Sequence, residues 1–60
     1  MYRITFKGET IKEGLESRNE AVHELMKRGI QDNPNTKVFY LDEDDAVEYE
    51  ISIEDLFAAL

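Results

Sequence analysis

The sequence predicts an α+β fold: a small, mainly antiparallel sheet in the order β-β-α-β-β-α, with one main helix across a face and a short C-terminal helix. Three observations predict it. Apolar and polar residues alternate in "YRITF" near the N-terminus and again in "AVEYEIS", the period-two pattern of half-buried strands. Two Ser-x-x-acid pairs, Ser17/Glu20 and Ser52/Asp55, precede apolar residues at helical spacing, which is a helix-start signature. Turn formers "KG" and "QDNPN" separate these pieces.

"YRITF" sends Tyr2, Ile4 and Phe6 to one side and Arg3 and Thr5 to the other. Lys7-Gly8 makes a two-residue hairpin turn in which Gly supplies a positive φ. "ETIKE" then returns, and in that register Ile4 stands opposite Ile11.

"GLESRNEAVHELMKRG" predicts a helix over about residues 18 to 28. The Ser17 hydroxyl accepts a free helix N–H, and Glu20 reaches back to the Ser17 N–H. Ala21, Val22, Leu25 and Met26 form the apolar face. Gly29 stops the helix in the left-handed conformation, and Lys27 and Arg28 suit the dipole in the last turn. Glu24 and Arg28 form an i,i+4 pair, and Ile30 tucks beneath the helix.

After the "QDNPN" turn, "TKVFYL" and "AVEYEIS" form a second hairpin closed by Asp42, Glu43, Asp44 and Asp45. Val47, Tyr49 and Ile51 point one way, Glu48 and Glu50 the other. Val38/Tyr40 and Phe39/Leu41 make the preceding strand apolar on both faces. That fits a central strand with a helix on each side, or an apolar face left for a partner. "SIEDLFAAL" predicts a two-turn helix carrying Ile53, Leu56, Phe57 and Leu60, too short to stand without tertiary packing.

A chain of 60 residues makes one domain. It buries only roughly 60% of the surface its unfolded form exposes, so its stability is modest. It has no Cys, hence no disulfide framework and no thiolate metal site. An apolar content of 42% argues against disorder. The N-terminus has no apolar run of a secretory signal, and no stretch reaches the ~20 apolar residues of a membrane span. The expectation is a soluble, cytoplasmic protein.

Charge divides the chain. Residues 1 to 37 hold all seven bases and six acids, a net of +1; residues 38 to 60 hold eight acids and no base, a net of −8, making −7 in all. Such a chain repels phosphate, which disfavours direct nucleic-acid or anionic-membrane binding. It suits a protein partner with a basic surface.

The residues offer little chemistry. His23 is the only His and flanks the helix's apolar face. Both Ser residues cap helices, so no nucleophile–base pair is present. The aromatics of the acidic half, Phe39, Tyr40 and Tyr49, lack the interleaved Lys and Arg of single-strand binders and read as core. A calcium loop needs alternating acids, a Gly and a Glu at its twelfth position. Here Asp42 and Asp44 alternate, but Gly is absent and position 53 is Ile. A looser oxygen site at Asp42, Asp44 and Asp45 would raise the melting temperature with calcium. The expectation is no enzyme, no cofactor and no metal.

Asp42, Glu43, Asp44 and Asp45, continued by Glu48, Glu50, Glu54 and Asp55, are the candidate protein-binding residues. The plain reading is a wet turn: carboxylates ~6 Å apart repel by only ~0.7 kcal/mol in water. The sharper reading is a row of carboxylates at the ~6.7 Å same-face spacing of a strand. Such a row mimics a phosphate backbone and would inhibit a basic nucleic-acid-binding protein. Against it, Arg3 and Lys7 would neutralise Glu48 and Glu50 if their strands were neighbours. The alternative class is a structural domain that forms a homodimer through the second sheet face or the C-terminal helix.

Overall fold

The computed structural model describes residues 1–58. Its elements are β1 (Tyr2–Phe6), β2 (Glu9–Leu15), α1 (Arg18–Arg28), β3 (Thr36–Asp42), β4 (Val47–Ile51) and α2 (Ile53–Ala58). The four strands form one antiparallel sheet in the order β2-β1-β3-β4. This is the α+β fold expected from the sequence.

The first turn is the tight one. Lys7 and Gly8 both take positive φ, 54° and 83°, the pair of values a two-residue turn needs to match strand twist. Phe6 therefore faces Glu9 and Thr5 faces Thr10. Beyond that point β2 departs from the expected register: Ile4 faces Lys12, not Ile11. An extra residue enters β2 between Thr10 and Lys12, and a second between Lys12 and Leu15, beside Gly14 at φ 71°. These are β-bulges. Ile11 still packs half-buried against the core.

α1 spans the expected residues for the expected reasons. The Glu20 N–H donates to Ser17 Oγ at 3.1 Å, and the Ser17 N–H donates to Glu20 Oε2 at 3.1 Å. Gly29 closes the helix at φ 69°, and Arg28 bonds Glu24 at 3.2 Å. Met26, however, is exposed. It lies beyond the stripe of Ala21, Val22 and Leu25 that faces the sheet.

The core is a single cluster. Ile4, Leu15, Ala21, Val22, Leu25, Val38 and Leu56 are its buried residues, with Tyr2, Ile11, Ile30, Ile51, Ile53 and Phe57 packed around them. Ile4 and Val38 face each other across β1 and β3. Leu56 joins the same cluster as Leu25, so α2 packs on the same sheet face as α1. One face of the sheet is thus covered by both helices, and among the described residues the other carries no helix. Of the expected stripe on α2, Leu60 lies outside the described residues.

Candidate protein-binding surface

The open face is built from the residues between the core positions. Pairing sets Arg3 beside Phe39 and Phe39 beside Glu50, with Leu41 beside Glu48. Thr5 and Lys37 extend the same face. Arg3 organises it. Its guanidinium lies over the Phe39 ring, 4.6 Å from the centroid. Nη1 donates to Thr10 Oγ1 at 2.8 Å, while Nε and Nη2 donate to Glu48 at 3.1 and 2.7 Å. One side chain therefore links β2, β1, β3 and β4. β1 and β4 are not neighbours, yet Arg3 is long enough to reach Glu48 across the intervening strand.

That pairing shifts both groups. Hydrogen bonding to Arg3 holds the Glu48 carboxyl below the usual glutamate range, and the same bond raises Arg3 above its ordinary value. Both side chains keep about a third of their surface in water, so solvent screens the attraction.

The candidate acids fall into separate groups. Asp42 ends β3 on the helix-side parity, opposite Val47. Its Oδ1 accepts the N–H groups of Asp44 and Asp45 at 3.1 and 3.4 Å, so this carboxylate shapes its own turn. Glu43, Asp44 and Asp45 are exposed at the tip. Ala46 closes the loop at φ 56°, a conformation that costs a non-Gly residue free energy. Glu48 and Glu50 lie on the open face. Glu54 and Asp55 begin α2, past the other end of β4, where Glu54 neighbours Gln31 and Asp32. β4 separates these two from the tip by about 14 Å of strand. The Ser52 hydroxyl accepts the Asp55 N–H at 3.0 Å. No return bond from the Asp55 carboxylate accompanies it among the described residues.

The fold also adds an acid that sequence order hides. Glu16 borders a shallow, open depression with Met1, Tyr40, Leu41, Asp42 and Glu43. The long return of β2 carries Leu15 opposite Tyr2, and β1 carries Met1 to Leu41. The signal for it was the length of the first hairpin's returning strand. Among the described residues, no group of three or more His, Asp or Glu side chains is placed to hold a metal ion. No described helix is long and apolar enough to cross a membrane.

No protein-family model, curated protein or solved structure matches the chain.

Proposed function

We propose that the domain is a non-enzymatic protein-binding module that takes a partner with a basic surface through its second hairpin. One observation carries the reading: the charge of that hairpin is largely unanswered within the molecule. Glu43, Asp44, Asp45 and Glu50 are exposed, and among the described residues the ion pairs are Arg3–Glu48 and Arg28–Glu24 alone. Lys37 shares the open face but makes no ion pair there among the described residues. The depressions of the surface are shallow and open, which suits contact with a large partner better than enclosure of a substrate.

The general form is better supported than the phosphate-mimicking one. A mimic needs a row of free carboxylates. Arg3 occupies Glu48, Asp42 is turned into its own loop, and Glu54 and Asp55 stand at the far end of β4. The homodimer alternative has less support through the C-terminal helix, where Leu56 is fully buried in the chain's own core. It keeps the open face, where Leu41 is exposed.

The test is retention of proteins from a lysate on the immobilised domain across a salt gradient. The comparison is a variant with Glu43→Gln, Asp44→Asn, Asp45→Asn and Glu50→Gln. Asp42 is left intact because its oxygen builds the turn. The reading expects basic proteins held by the parent, released between low and moderate salt, and not held by the variant. Equal retention by both proteins would refute it.

A further inference from the structure

β4 is an outer strand, and the ladder determines which of its backbone groups are free. Across β1 and β3, Leu41 N–H donates to Met1 C=O at 2.7 Å and the Met1 amino group donates to Leu41 C=O at 3.0 Å. Lys7 N–H donates to Asn35 C=O at 3.0 Å. Odd-numbered residues of β3 thus bond toward β1. Alternate residues of an inner strand bond to opposite neighbours, so Val38, Tyr40 and Asp42 bond toward β4, where they face Ile51, Tyr49 and Val47. The N–H and C=O groups of Glu48 and Glu50 consequently point outward from the sheet's edge, unpaired by any described strand. β2, the other outer strand, carries two bulges that break such a row. β4 is regular throughout.

We propose that this edge takes an extended protein segment as a fifth strand, and that the segment alternates basic with apolar residues. Residues of the added strand opposite Glu48 and Glu50 fall on the open face beside the exposed carboxylate of Glu50 and the Arg3-bound one of Glu48, and the Glu50 position selects Lys or Arg. The residues between them fall on the other face beside Val47 and Tyr49, which are 41% and 51% exposed and select apolar side chains. Main-chain bonds supply the attachment and the alternating side chains the specificity. A second copy of this chain fits badly. The outward groups belong to Glu48 and Glu50, so antiparallel self-pairing centred on β4 sets a Glu opposite a Glu. The proposal rests on the basic-partner reading above and gives it a geometry.

The test is calorimetric titration of the intact protein with a capped peptide alternating lysine and valine. The peptide is run against the parent, Glu50→Gln and Glu50→Pro, with a glutamate–valine peptide as control. Gln removes the charge and keeps the outward N–H. Pro removes both at a site outside the β3–β4 ladder, where an edge strand tolerates it. Strand addition expects Gln to weaken binding about two- to fivefold and Pro to weaken it a further roughly fivefold. Equal binding by the Pro and Gln variants overturns strand addition and leaves the basic-partner reading standing. Equal behaviour of the lysine and glutamate peptides on the parent overturns both. Should the Pro variant fail to fold, the parent decides: saturating lysine peptide must slow amide exchange at Glu48 and Glu50, and unchanged exchange there refutes the proposal.

Discussion

The outer strands of the two hairpins differ in regularity and in charge. The first turns through Lys7 and Gly8 and returns along β2, which two bulges distort. The second turns through Glu43, Asp44, Asp45 and Ala46 and returns along β4, which stays in unbroken register with β3. An unpaired strand edge is a template for association, and proteins blunt it by shape or by charge. Shape acts against any incoming strand. Charge acts only against strands of the same sign. Under the strand-addition proposal, this difference gives the acids of the second hairpin a role: they would close its edge to a second copy and leave it open to a basic strand.

The largest expected contrast between the hairpins is in packing. Ile4 of the first is fully buried, whereas Val47 of the second is 41% exposed. Ile4→Ala should cost about 2–5 kcal/mol and Val47→Ala within about 0.5 kcal/mol, both read by urea unfolding. A comparable loss at Val47 would mean that the distal second hairpin has a core role and is not a free edge.

The turns should respond with opposite signs. Gly8 sits at φ 83°, so Gly8→Ala should destabilise by about 1 kcal/mol. Ala46 holds a left-handed conformation that Gly adopts without strain, so Ala46→Gly should stabilise by about 0.5 kcal/mol. Thermal melts of the two variants sharpen the comparison if the signs differ and break it if they agree.

Reversing one charge tests the edge itself. In the self-pairing that sets residue 48 opposite residue 50, Glu50→Lys replaces two Glu–Glu oppositions with two Glu–Lys pairs. Sedimentation equilibrium at low salt should show self-association of this variant several-fold above the parent's. Parent and variant associating equally would remove charge as the guard of β4.

The smallest effect concerns the tie across the open face. Glu48 carries a lowered carboxyl pKa because of its bond to Arg3. A group whose folded value is depressed adds stability that is fully present above its unfolded value, about 4.3. That contribution fades as pH falls through the lower, folded value. A carbon-detected titration should place the Glu48 midpoint below the ordinary one and return it toward normal in Arg3→Ala. An unmoved midpoint would mean that the link from β1 to β4 does not persist in solution.

Much of the fold was legible because it is written locally. Ser17, Glu20 and Gly29 delimit α1 within a few residues of chain, and Lys7-Gly8 dictates its own turn. What was not legible depends on neighbours far along the chain. The bulges of β2 arise from its pairing with β1, so nothing in "ETIKEGL" announces them except Gly14. Both helices share one sheet face because Leu56 reaches the cluster of Leu25, a packing outcome that strand periodicity does not encode. The candidate acids were legible as a run, but their grouping was not. Strand parity turns Asp42 away from Glu48 and Glu50, the chain path carries Glu54 and Asp55 to the other end, and β2 brings Glu16 to the tip.

The most direct measurement is a nitrogen–proton correlation map of the intact protein during titration with the lysine–valine peptide. The account predicts shifts concentrated in residues 46 to 52, with residues 9 to 15 of β2 unmoved. Shifts confined to the tip, centred on β2, or spread evenly over the surface would contradict it.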